Sequence, residues 1–129
     1  MADVVLDASA VLALIFEEPG SDEVEPYLPG ALISTVNVAE VFTRLINLGM
    51  PEDTAGSVFE ALQLSVISFD QAQAVTTAAI APATRPAGLS LGDRACLALA
   101  RGRALRALTA DRAWGDIADE AGVSVSQIR

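Results

Sequence analysis

Short apolar runs alternate with stretches of helical period along nearly the whole chain. Residues 3–7 (DVVLD), 31–35 (ALIST), 64–69 (LSVISF), 105–109 (LRALT) and 123–128 (VSVSQI) predict strands, each bounded by turn or cap residues. Between them, 9–16 (SAVLALIF) predicts a helix start with Ser9 as its cap. The segment 36–48 is more strongly patterned. Val38, Val41, Phe42, Leu45 and Leu48 recur at the helical period, with Asn37, Glu40, Arg44 and Asn47 on the opposite face. Gly49 and Pro51 end that helix and open another over 51–63, and further helices are predicted over 70–81, 90–102 and 111–122. An acidic connector, EEPGSDEVEPYLPG, leaves room for one short helix between its prolines. PATRPAG (82–88) reads as a loop held open by two prolines and a glycine. Strands alternating with helices predict a three-layer α/β/α sandwich around a mainly parallel sheet, with residues 1–129 forming one domain.

Single carboxylates punctuate this pattern. An apolar run ends in an acid at Asp7, Asp70, Asp93 and Asp111. In open parallel sheets ligands bind outside the carboxyl ends of the strands, which nominates Asp7, Asp70 and Asp111 without choosing among them. Each acid also has an ordinary structural role open to it. Asp7 fits a helix cap, and Asp93 completes a capping box with Ser90. Glu40 stands four residues before Arg44, the favourable order for an exposed helical ion pair. Asp111 and Asp116 straddle a turn and can share one mouth of the sheet, but Asp119 and Glu120 follow at once, as in a solvated acidic helix.

Composition narrows the chemistry. The chain has 17 acids against 8 bases, a formal charge of −9, no histidine, and only arginine as base. Without histidine there is no imidazole acid–base pair and no Ser-His-Asp or Cys-His nucleophile. Without lysine there is no phosphate-loop lysine and no Schiff base. Reactive groups would have to be carboxylates, which suit hard cations such as Mg2+ or Mn2+. The one cysteine, Cys96, sits in the apolar ACLALA, where an inert buried thiol in a reducing compartment is expected. No apolar run approaches a membrane span, and no basic region precedes the first apolar run, so a cytoplasmic protein without membrane attachment is expected.

Taken in order, four local contexts resemble the motifs of the PIN-domain nucleases, and within them the VapC toxins of prokaryotic toxin–antitoxin modules. These are VVLDAS at Asp7, STVNVAEV at Glu40, LSLGDRACLALA at Asp93 and LTADRAW at Asp111. Position 8 is Ala where many relatives carry Thr, and Asp70 matches no motif, which leaves it a helix start. The resemblance implies a Mg2+-dependent endoribonuclease, with Mn2+ able to substitute. Asp7, Glu40, Asp93 and Asp111 would be its catalytic acids, and Asp7, Asp93, Asp111 and Asp116 its metal ligands. Ser9, Asn37 and Thr109 would then orient carboxylates or waters, and Arg94 and Arg112 would lie toward the substrate. RNA, a VapB-like antitoxin and a second copy in a homodimer are the implied partners.

The negative charge stands against RNA binding, which rests mainly on basic contacts. Five of the eight arginines nevertheless fall between Arg94 and Arg112, although helix solvation or pairing with acids would account for them equally. Aspartate-nucleophile phosphatases and receiver domains also begin with an apolar strand ending in Asp. They require a lysine that is absent, and the phosphatases also need a second acid where Ser9 stands. A non-catalytic module that binds metal, RNA or an antitoxin is the alternative to an enzyme.

Overall fold

The computed structural model describes residues 4–129. Asp3, the first residue of the first predicted strand, lies outside them. Five parallel strands form one sheet in the order β3-β2-β1-β4-β5: β1 Val4–Leu6, β2 Leu32–Ser34, β3 Ser65–Ile67, β4 Arg106–Thr109 and β5 Val125–Gln127. The chain builds outward from β1 to β2 and β3, then returns to the other side of β1 for β4 and β5. The order therefore reverses between β1 and β4, and in open parallel sheets ligands bind outside the carboxyl ends of the strands at such a point.

Side-chain alternation in the strands divides the core in two. Val4, Leu6, Ile33 and Leu108 pack with Ala10, Val11 and Ala13 of α1 (Ala8–Phe16) and with Val41 and Leu45 of α3 (Thr35–Asn47). Ala55 and Phe59 of α4 (Glu52–Glu60) complete that layer. Val5, Leu32 and Ala107 point the other way, onto Cys96, Leu97, Leu99 and Ala100 of α7 (Leu91–Arg103). Both faces of the sheet are covered, which is why its central strands read as unbroken apolar runs.

Several expectations are corrected. Ser9 is not the cap of α1; that place belongs to Asp7, whose side chain makes no capping bond. The acidic connector does hold the expected short helix between its prolines, α2 (Ser21–Val24), followed by a 3-10 turn, Glu25–Tyr27. Residues 82–88 are not an open loop, because α6 (Ala81–Thr84) runs into a 3-10 turn, Arg85–Ala87. Pro82 and Pro86 each stand in a first turn, where the missing N–H has no partner to lose. Helix α5 (Gln71–Ala79) starts at Asp70 as expected, and the 111–122 segment divides into a 3-10 turn, Arg112–Asp116, and α8 (Ala118–Ala121). On α3 the buried stripe is Asn37, Val41 and Leu45, while Leu48 is exposed. Asn37 thus faces inward rather than lying on the polar side.

Candidate active site

Strand β1 ends at the switch point, and Asp7 leaves it there. Its amide donates to the Leu108 carbonyl at 3.0 Å, extending the β1–β4 ladder by one residue and holding the side chain at the sheet's carboxyl edge. Two hydroxyls fix one of its oxygens. Ser9 Oγ donates to Oδ2 at 2.7 Å and Thr109 Oγ1 donates to the same atom at 3.0 Å. Each hydroxyl also accepts a backbone amide from the loop after β4, Ala110 N–H on Ser9 and Asp111 N–H on Thr109. Together these bonds tie α1, β1 and β4 into one rim.

Glu40 comes from α3 and Asp93 from the first turn of α7. Ser34 caps α3 by accepting the Val36 amide, which starts the helix directly at the end of β2 and brings Glu40 one and a half turns on to the sheet edge. Glu40 is half-buried, and Asn37 Nδ2 donates to its Oε1 at 2.8 Å. Among the described residues it forms no ion pair with Arg44. Asp93 does close the capping box: Ser90 N–H donates to Asp93 Oδ2, and Asp93 N–H to Ser90 Oγ. This local role does not use up the side chain. Asp7 Oδ1, Glu40 Oε2 and Asp93 Oδ1 each remain outside these bonds, so each acid is oriented through one oxygen and keeps the other.

The three acids lie close enough to act on one another electrostatically. Burial pushes the Asp7 carboxyl up to about 6 from an ordinary 3.8; Asp93 and Glu40 add to the rise, and the Ser9 and Thr109 hydroxyls oppose it. Glu40 is likewise raised, by burial first, with Asn37 opposing and Asp93 contributing. Beneath them, the fully buried Cys96 thiol is pushed well above its usual range by burial, with Asp7, Asp93 and Glu40 adding. Its burial matches the expectation from the apolar ACLALA segment.

The remaining predicted residues divide. Asp111 stands at the rim, exposed, with Oδ1 accepting the Ala113 amide, and is tied to Asp7 only through Thr109. Asp116 is not brought to this rim by any described bond; it lines a small groove with Ala83, Pro86, Ala87, Ile117 and Glu120. Arg94 turns away to α5, where Nη1 donates to the Thr77 carbonyl. Arg112 is exposed, and its carbonyl accepts Gln127 Nε2. Arg44 and Arg129, the latter paired with Glu18 at 3.6 Å, line a groove of about 320 Å3 that also takes in Ser9. Nothing local marks them, because α1, α3 and the chain end meet only in the folded protein.

Among the described residues no three acidic, cysteine or histidine side chains are gathered tightly enough to form a finished metal cage. The donor set nonetheless suits a hard cation. It is all carboxylate, each group is held through one oxygen, and their mutual repulsion is what a cation would relieve. Among the described residues no helix is long and apolar enough to cross a membrane.

Solved structures with this fold include the DNA-bound VapBC complex from Salmonella typhimurium (TM-score 0.79, 20% identity, all of both chains covered). A toxin–antitoxin complex from Klebsiella pneumoniae is similar at TM-score 0.74 and 19% identity, over 98% of each chain. Mycobacterium tuberculosis VapC20, a toxin that cleaves the sarcin–ricin loop, is similar at TM-score 0.72 and 14% identity, over 88% of this chain and 93% of its own. No curated protein sequence matches the chain. The PIN domain model matches residues 4–120, a span that holds β1 to β4, α1 to α7 and Asp7, Glu40, Asp93, Asp111 and Asp116, and the chain therefore belongs to the PIN-domain family.

Proposed function

We propose that the protein is a Mg2+-dependent endoribonuclease of the VapC type, hydrolysing RNA phosphodiester bonds in the cytoplasm and silenced by a VapB-like antitoxin. The observation that carries this reading is the meeting of Asp7, Glu40 and Asp93, from three separate elements, at the switch point of a parallel sheet. A phosphodiester is anionic and poorly attacked; a bound divalent ion lowers the pKa of water and screens charge on the phosphate. Asp7, Glu40 and Asp93 would hold that ion, with Asp111 at the rim. Asp116, which lines a separate groove, stands outside the set we propose. Ser9 and Thr109 keep Asp7 aimed by occupying Oδ2, and Asn37 does the same for Glu40 through Oε1.

The groove that takes in Ser9 suits a protein segment better than RNA. Leu12, Phe16 and Leu48 line it, Phe16 and Leu48 being 40% and 56% exposed, with Arg44 and Arg129 beside them. An antitoxin segment with an apolar face could lie here with one end at the acids. Pairing of two copies, as in VapC relatives, belongs to the same reading, and sedimentation of the purified toxin checks it.

The test is cleavage of a fluorescent RNA by antitoxin-free protein in Mg2+ or Mn2+, against EDTA and against Asp7→Asn and Asp93→Asn. Cleavage that needs the metal and both acids is expected. Equal cleavage by Asp7→Asn would sink the assignment. Undiminished growth arrest by that variant, with antitoxin binding intact, would favour the non-catalytic module.

A further inference from the structure

Helix α7 opens Leu91-Gly92-Asp93, and Gly92 is an odd choice for a first turn. Glycine is clearly less favourable than alanine within a helix. Its backbone freedom is not used, because Gly92 is absent from the positive-φ glycines of the described residues. Space is the reason. A Cβ at this position would lie within 2.6 Å of Glu40 Oε1 and closer still to Oε2 and Cδ. The Glu40 carboxylate of α3 therefore rests directly against the backbone of α7, next to Asp93.

Asn37 holds it there. The Asn37 side chain is fully buried, and its Nδ2 donates to Glu40 Oε1 at 2.8 Å and to the Gly92 carbonyl at 3.0 Å. Both partners are acceptors, so the amide nitrogen must face them. Among the described residues Asn37 Oδ1 is buried without a partner, which is destabilising. The amide is thus committed to bridging α3 and α7 at some expense to stability.

We propose that Gly92 is a positioning residue of the acid site: its missing side chain opens the notch in which Asn37 seats the Glu40 carboxylate beside Asp93 and Asp7. The functional consequence rests on the metal-dependent reading above. The atoms that a Cβ would strike are the end of a flexible side chain, so filling the notch moves Glu40 while the helices stay.

The test is Gly92→Ala, alone and crossed with Glu40→Asp. The variant should fold, because alanine's helix propensity offsets the lost Asn37–Glu40 bond. In metal-free protein the Asn37 side-chain amide protons should shift upfield and exchange faster as Glu40 leaves. Mn2+ affinity, followed by electron paramagnetic resonance, should fall about tenfold. Glu40→Asp should weaken Mn2+ binding in the wild-type background, yet recover part of the loss in the Gly92→Ala background, since a side chain one methylene shorter clears the new methyl. Unchanged Asn37 signals would overturn the proposal, as would unchanged Mn2+ affinity. If wild-type protein takes up no Mn2+, the ribonuclease reading fails, while the Asn37 signals still decide whether Gly92 seats Glu40. Should Gly92→Ala not fold, the double variant with Glu40→Ala must fold, because the clash is gone; failure of both also overturns it.

Discussion

Asp7 and Asp70 share one local pattern, an apolar strand running into an aspartate at the head of a helix, and the fold uses them differently. Strand β1 is central and β3 is an edge. Asp7 is only 4% exposed, accepts two hydroxyls and lies among two other acids. Asp70 is exposed, and its Oδ1 accepts the Gln73 amide as a helix cap. A central strand at a switch point delivers its terminal acid between neighbours on both sides. An edge strand delivers its acid to water, where its remaining work is to satisfy a helix end.

The sharpest way to break this comparison is to neutralise each acid. Asp7→Asn should lower RNA cleavage by at least about a hundredfold, and Asp70→Asn should leave it within about twofold, as measured by initial rates on one RNA; similar losses in both would erase the distinction. Next in size is cation-linked stability. Mn2+ at about 100 times its dissociation constant should stabilise by about 2.7 kcal/mol, a rise of several degrees in Tm. Asp93→Asn should remove most of that gain and Asp70→Asn none, and a Tm indifferent to millimolar Mn2+ counts against the site.

The metal-free protein should also show the strain in its pH dependence. The folded Asp7 carboxyl titrates near 6, above its ordinary 3.8, so between those values the native state binds a proton that the unfolded chain has released. Stability should therefore fall as pH rises from about 4 to about 6, and Glu40, also raised, adds with the same sign. Urea midpoints across this range should slope downward, and Asp7→Asn should flatten them. The smallest effect belongs to the edge acid: Asp70→Ala should cost about 1 kcal/mol of stability through its lost cap, with cleavage unaltered.

Much of this was legible along the chain. Apolar periodicity located the strands and the long helices because alternation and the helical repeat are local consequences of which face is buried. The capping box at Ser90 and Asp93 was legible for the same reason, and so was the helix start at Asp70. The 82–88 segment was misread because prolines mark both loops and first turns. Asn37 was placed on the wrong face because a polar residue pays to enter a core only when a partner outside its own helix waits there, here the Gly92 carbonyl.

By itself, then, the sequence determined the layered α/β order, the absence of imidazole and lysine chemistry, and a short set of candidate acids. Which acids meet was decided only by tertiary structure. Strand order is set by long-range pairing, which put β1 beside β4 and left β3 at the rim. Carboxylate repulsion depends on distance through space, so no spacing along the chain announces that Asp7, Glu40 and Asp93 act on one another while Asp116 lines a groove with α6. The notch at Gly92 is of the same kind, since a missing side chain means something only once α3 lies against α7.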